Sequence, residues 1–289
     1  MNAKTALIIV NWQTVTDTVN CLNSILSSDE VPELIYVIDN KSDLNCLAKI
    51  IDEIKESPFF EQMIFIQTLR NLGYAAAINL ALRDIIKNTD VNYIWLLNND
   101  TQVCQDTLSV MKGVLASNEH NGLISCSIID SSFGNRSNIG GAQINSKLAI
   151  ATHIKSSVRF APDYLIGCNI LLRSQVLDDI GLLPEDYFMY YEDSDWQKYV
   201  HHKWRIVCTD KTEIFHNTSK RRNISYYYYK NRAAILYVKK HHPMYVIPAF
   251  IVHALIILFD KPQTDRLKYA YEGLLHGARG ITGEMNVKS

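Results

Sequence analysis

Glycine is missing from the places where phosphate-binding loops need it. The chain has 12 glycines in 289 residues. The turn after its first apolar run reads "NWQTVTD", with no glycine at all. That excludes the G-x-G-x-x-G dinucleotide fingerprint, and no G-x-x-x-x-G-K-[ST] loop occurs elsewhere. The six cysteines form no C-x-x-C pair, which argues against a zinc site or a disulfide framework and for reduced thiols. Net charge is also absent: 29 Lys and Arg face 30 Asp and Glu. No global field draws in nucleic acid, and no nucleic-acid motif is present, so no nucleic-acid partner is expected. "MNAKTALIIVNW" carries one Lys and too short an apolar run for an export signal, so a cytoplasmic location is expected. The Asn-x-Ser/Thr triplets at Asn99, Asn135, Asn217 and Asn223 are accordingly read as chance.

What is present is a regular alternation. Apolar residues make up 47% of the chain and charged ones 20%, ordinary for a globular protein able to bury a large core. The length suits one large domain, or one domain with an appendage. "TALIIVNW", "ELIYVIDN", "QMIFIQT" and "YIWLLNND" read as buried strands. Between them, "TDTVNCLNSILSS", "LNCLAKIIDEIKES" (closed by Pro58) and "GYAAAINLALRDIIKN" carry apolar residues at helical spacing. This pitch predicts βαβ units and a mostly parallel sheet, with ligands at the carboxyl ends of its strands. Three of the four strands end in polar residues: Asn11, Asp39-Asn40 and Asn98-Asn99-Asp100. A shared site is favoured, with ordinary loop chemistry as the competing reading. Without a glycine loop, phosphates need another source of neutralisation. A Mg2+ or Mn2+ ion held by a strand-end carboxylate is the economical one, and Asp100 fits that role.

At this point the residues resemble a known family. "VNWQT", "YVIDNKS", "RNLGYAAAIN" and "WLLNND" occur in the order seen in family 2 glycosyltransferases, the inverting GT-A fold enzymes, and the nearest branch looks like bacterial rhamnosyltransferase-like enzymes of surface polysaccharide synthesis. "IGCNILLRSQVLDDIGLLPEDYFMYYEDSDW" resembles the family's acceptor-side block, "IFHNTS" its later histidine motif, and "YYYYKNRAAIL" the aromatic-basic segment after it. The resemblance implies an α/β fold with a Rossmann-like nucleotide-binding sheet flanked by helices. It implies a catalytic domain over about residues 1–225, with a donor half to about 103 and an acceptor half from about 104, and a helical extension over about 226–289.

The same resemblance assigns residues. Asn98-Asn99-Asp100 stands where the family has D-x-D, so Asp100 would be the direct metal ligand, with His216 beside the metal or diphosphate. Val10, Asn11, Asp39, Asn40, Asn71, Gly73, Asn98 and Asn99 fall on the donor side. Asp39 is expected at the N3–H of a pyrimidine base, chemistry a carboxylate can perform. Asn79, inside an apolar helix, needs a partner that is either structural or substrate. Asp193 matches the catalytic base; Glu192, Asp195 and Trp196 would bind the acceptor or brace the loop. The family often has Arg one turn later, where this chain offers Lys198 or Tyr199. Read without the resemblance, "YYEDSDW" is only an acidic first turn of a helix. The implied partners are a UDP- or dTDP-linked sugar and a hydroxyl of a growing, lipid-linked glycan.

From Ile214 to Phe259 there are seven Lys and Arg and no Asp or Glu, followed within that stretch by "MYVIPAFIVHALIILF". The apolar run is short for a membrane span. It reads either as an interfacial helix on the inner face of an anionic membrane or as a helix packed on the catalytic domain or on a second subunit, which would make a homodimer. Two rival functions remain at this stage: a catalytically dead sugar-nucleotide binder, invited by Asn98, and a sugar-nucleotide pyrophosphorylase, disfavoured by the missing glycine-rich basic loop.

Overall fold

The computed structural model describes residues 3–43, 45–130, 136–155, 161–217, 223–260 and 264–285. The triplet at Asn135 and the Lys220-Arg221-Arg222 part of the basic segment lie outside them. The twelve strands among these residues are β1 (Thr5–Asn11), β2 (Leu34–Asp39), β3 (Met63–Gln67), β4 (Tyr93–Asn98), β5 (Thr101–Val103), β6 (Asn121–Asp130), β7 (Arg136–Asn138), β8 (Gly141–Asn145), β9 (Ile150–His153), β10 (Tyr164–Leu165), β11 (Asn169–Arg173) and β12 (Arg205–His216). The helices are α1 (Val15–Leu26), α2 (Cys46–Ile54), α3 (Tyr74–Asn88), α4 (Thr107–Ala116), α5 (Val176–Ile180), α6 (Glu192–Gln197), α7 (Ile224–His241), α8 (Val246–Asp260) and α9 (Thr264–Arg279).

The central sheet runs in the order β3-β2-β1-β4-β11-β6-β12-β5, with β7 paired to β6. The first four strands are parallel, as the strand-helix alternation predicts. Beyond β4 the sheet is mixed. β11 enters antiparallel between β4 and β6, and β5 pairs antiparallel with β12. This half was not legible as alternation, because its strands return through loops rather than through βαβ crossovers.

The continuous apolar runs follow from burial on both faces. Ile8, Tyr36, Ile94 and Leu96 face the core beneath α3. Leu7, Ile35, Val37 and Trp95 face the core that contains residues of α1, α2 and α4. A third core joins α7, α8 and α9 to Tyr187 and Ala149.

The sheet's parallel half opens onto a tight turn before α3. Gly73 there has φ +83°, and a Cβ on it would lie 2.4 Å from the Phe188 carbonyl oxygen. That oxygen accepts a hydrogen bond from the Tyr74 N–H at 2.8 Å. Donor half and acceptor half thus touch at backbone distance. Gly73→Ala should lower the unfolding free energy by at least about 1–3 kcal/mol, the cost of a side chain in such a conformation. Chemical denaturation measures it, and an unchanged midpoint and slope would contradict the packing described.

Candidate active site

Parallel register brings the polar strand ends together. Asn11 lies opposite Asp39, and Val10, partly buried, lies opposite Asn98. Asp39 has no exposed surface. Its Oδ1 accepts from the Asn11 amide at 2.7 Å and from the Ser42 hydroxyl, and its Oδ2 accepts from Gln67 Nε2 at 3.4 Å. Asp39 therefore shapes the loop that follows it instead of presenting a free acceptor. Asn11 Oδ1 accepts from the Thr18 hydroxyl at 2.9 Å, and Asn99 Nδ2 donates to the hydroxyls of Thr14 at 2.6 Å and Thr18 at 2.9 Å. A cavity of about 440 Å³ opens on this side, with Lys41, Ser42, Asp43 and Gln67 in its wall.

Asn40, Asn71 and Gly73 form one brace. The Asn40 amide donates to Asn71 Oδ1 at 2.9 Å and its Oδ1 accepts from Leu72 N–H at 2.9 Å, while Asn71 Oδ1 also accepts from Gly73 N–H at 3.0 Å. Asn79 finds protein partners for both ends of its amide: it donates to the Leu183 carbonyl at 2.9 Å and Glu185 at 2.8 Å, and accepts from Leu183 N–H at 3.1 Å.

The turn between β4 and β5 presents Asp100. Antiparallel pairing of β5 with β12 sets His216 opposite Thr101, and His216 Nε2 lies 3.1 Å from Asp100 Oδ1. Burial opposes charge on His216, but the adjacent Cys168 sulfur and Asp100 carboxylate outweigh it and push the imidazole up to about 11. The Asn98 side-chain oxygen accepts from the Tyr74 hydroxyl at 3.0 Å. Asp100 is thus the one carboxylate of the triplet. Among the described residues no three His, Cys, Asp or Glu side chains cluster to hold a metal on their own. Asp100, together with the His216 imidazole once it gives up its proton, nevertheless suits Mg2+ or Mn2+ when diphosphate oxygens and water supply the remaining ligands.

α6 carries the acidic cluster, and its three carboxylates have different surroundings. Asp193 Oδ2 accepts from Gly167 N–H at 3.0 Å and Oδ1 from Ser194 N–H at 2.7 Å. Glu192 is buried, and its Oε2 has no hydrogen-bond partner. Burial pushes both carboxyls upward, and the Asp193 charge adds to the difficulty of ionising Glu192. Asp193, whose charge two backbone N–H groups stabilise, is the one that ionises first; Glu192 keeps its proton longer. Asp195 is 1% exposed and paired with His241 Nε2 and Lys240 Nζ, both at 2.6 Å. Burial alone would raise it, but hydrogen bonds from His241 and Lys240 hold it below the ordinary carboxylate range. Trp196 anchors the helix through its indole N–H to the Gly181 carbonyl at 2.9 Å. Lys198 lies over the Tyr237 ring at 5.7 Å, and Tyr199 is exposed.

Three residues that join these parts were not singled out from sequence. The Tyr74 hydroxyl sits between Asn98 Oδ1 and the Gly167 carbonyl oxygen, 3.1 Å away. Burial, then Glu192, Cys168, Asp193 and Asp100 in turn, push its ionisation well above the ordinary range, which places that hydroxyl among both acidic groups. Gly167 leaves room for Asp193: a Cβ there would lie 3.0 Å from its Oδ2. Gln197 donates to and accepts from the Leu165 backbone at 2.9 and 2.8 Å, tying α6 to β10. The signals available were a tyrosine at the start of a helix beside Gly73, and a glycine in "IGCN".

Solved structures share this fold. They include a mannosyltransferase, PcManGT from Pyrobaculum calidifontis, in complex with GDP-Man and Mn2+ (14% identity, TM-score 0.63, covering 97% of this chain and 87% of that one). GalNAc-T7 with UDP, GalNAc and Mn2+ aligns at 10% identity and TM-score 0.66, over 96% of this chain and 56% of its own. S. aureus TarS in complex with UDP-GlcNAc aligns at 14% identity and TM-score 0.57, over 96% and 84%. Among curated proteins no sequence matches. A family description, glycosyl transferase family 2, matches residues 7–181, more than half of the chain, and with the GT-A sheet beneath it this protein belongs to glycosyl transferase family 2.

Proposed function

We propose that the protein transfers a sugar from a nucleoside diphosphate sugar, UDP- or dTDP-linked, to a hydroxyl of a growing surface glycan, with inversion at the anomeric carbon. The observation that carries this reading is the Tyr74 hydroxyl, which bonds Asn98 of the turn that presents Asp100 and touches the carbonyl of Gly167, whose N–H holds Asp193. Asp193 accepts the acceptor's proton as the acceptor oxygen bonds to the anomeric carbon. The bond from that carbon to the diphosphate breaks on the opposite face, and its electron pair leaves with the diphosphate. A divalent ion bound by Asp100 and His216 would offset the charge growing there. The nucleobase lies toward the cavity beside Ser42 and Gln67, where a base N–H can replace Gln67, the longest of the contacts to Asp39. A dead sugar-nucleotide binder has less support, because the chain keeps both the Asp100 carboxylate and an Asp193 carboxylate held by the Gly167 N–H.

Two variants separate chemistry from binding. Asp193→Asn keeps size and polarity but loses basicity, so transfer should fall about 10²–10⁴-fold with UDP affinity unchanged. Asp100→Ala should instead abolish the Mn2+-dependent part of the thermal stabilisation by UDP. Retained transfer in the first variant, or retained metal-dependent stabilisation in the second, would contradict these assignments.

We further propose that the acceptor's lipid is met at an inner membrane face by α8. Pro243–Asp260 is an 18-residue helical stretch of mean hydropathy 1.9, long and apolar enough by length and composition to cross a membrane. One face packs inward through Ala249, His253 and Ile257, with His253 Nε2 2.9 Å from the Leu148 carbonyl oxygen. The other exposes Met244, Ile247, Ile251, Leu255, Leu258 and Phe259. A helix with one face seated on a folded domain lies on a bilayer rather than through it. Lys147, whose ammonium sits 5.0 Å above the Tyr245 ring, gives its near end positive charge for anionic headgroups. Flotation with anionic vesicles should be strong at low salt and weaken as salt rises. A protein that stays unbound at low salt and runs as a stable dimer would instead assign this face to a second copy.

A further inference from the structure

The loop entering α6 is held in a conformation its residues resist. Phe188, Tyr190 and Tyr191 have φ of 68°, 71° and 66°, the left-handed region that bulky residues avoid. Three such residues in four positions cost of order 1–3 kcal/mol each and persist only where surroundings impose them. The surroundings here are one face of α7. Tyr226 packs edge-on to Tyr190 at 5.7 Å, and Tyr229 stacks on Phe188 at 4.8 Å. Arg232, fully buried, donates to the Tyr187 carbonyl at 2.9 Å. Tyr237 meets Tyr191 at 5.7 Å. At the end of the helix Lys240 and His241 grip Asp195, two residues past Asp193. These contacts recur every three to five residues, the spacing of one helical face. Tyr191 is tied from the other side by its hydroxyl, which donates to the Ala149 carbonyl at 2.5 Å.

We propose that α7 is a template for the catalytic helix, and that Lys240 and His241 are positioning residues that set the Asp193 carboxylate through their grip on Asp195. This rests on the reading of Asp193 as the base. The geometry supports it in three ways. The grip is short and doubly charge-assisted, the kind of contact that fixes a side chain rather than decorates a surface. It acts on a six-residue helix, too short to hold its own direction without external contacts. The donor residues, by contrast, hold one another through the Asn40–Asn71 and Asn11–Asp39 contacts, in which neither Lys240 nor His241 takes part. A shift of about 1 Å in a reacting group costs as much as 10²-fold in rate, so a loosened grip reads out in turnover.

The test uses the full chain with Lys240→Met, His241→Asn and Lys240→Arg, measuring kcat, donor KM and UDP–Mn2+ affinity. Lys240→Met and His241→Asn should lower kcat about 10–100-fold while donor KM and UDP affinity stay at the wild-type values. Lys240→Arg, which keeps a cation at Asp195, should recover most of that loss. Lys240 is 42% exposed on its side chain, so Lys240→Met keeps its fold even where the more buried His241→Asn does not. Wild-type kcat in Lys240→Met, an equal loss of donor affinity, or no recovery in Lys240→Arg would overturn the proposal. Asp193→Asn serves as the reference. Full transfer in that variant removes the base assignment itself, whereas a loss there with retained kcat in Lys240→Met removes only the positioning role.

Discussion

The Tyr74 hydroxyl is the contact on which the rest of the site depends. It stands at the start of α3, in the donor half, and reaches the Asn98 amide oxygen at the end of β4. The same hydroxyl touches the carbonyl of Gly167, whose N–H holds Asp193. The Asp100 turn and the acidic helix are far apart in sequence, and this chain of contacts joins them. It forms because β11 enters the sheet antiparallel beside β4 and delivers Gly167 to the strand's carboxyl end. A buried hydroxyl must find partners, so the seam is costly to open. That gives the site a rigidity that no single metal ligand could supply.

Within a few residues α6 handles three carboxylates in three ways. Asp195 is buried and held by Lys240 and His241, which leave its oxygens no open side. Glu192 is buried without a partner for Oε2 and holds its proton. Asp193 is half-buried and receives two backbone donors, enough to ionise at mildly acidic pH and still bind a proton avidly. A general base works best in that intermediate state. The pattern is set by what each oxygen meets, not by the residue type.

Much of this was legible in the sequence. Apolar runs of strand length, each ending in Asn or Asp, placed β1, β2 and β4 and their shared edge, because parallel strands buried on both faces leave a plain hydrophobic signal. Asp100 and Asp193 were singled out through family motifs, and the structure places them at the β4–β5 turn and in α6. Other features were hidden for physical reasons. Asp39 reads as a free ligand until its environment shows Asn11, Ser42 and Gln67 already on its oxygens. The tyrosine run Tyr226 to Tyr229 has no local pattern that tells its partners, yet Tyr227, Tyr228 and Tyr229 are buried, and the loop at 187–191 supplies contacts to Tyr226 and Tyr229. Long-range pairings such as Lys240 with Asp195 leave no local pattern at all.

The account's central claim is that Asp193, next to a protonated Glu192, is the group that takes the acceptor's proton. The most direct measurement is the pH dependence of sugar transfer at saturating donor, for the wild type and for Glu192→Gln. The account predicts loss of transfer through a single protonation as pH falls, with a midpoint well above the ordinary aspartate value of about 4. It predicts the same midpoint in Glu192→Gln, because Glu192 is already neutral in that range and Gln only copies its charge. Transfer that persists unchanged below pH about 4.5, or that vanishes in Glu192→Gln at every pH, would contradict it.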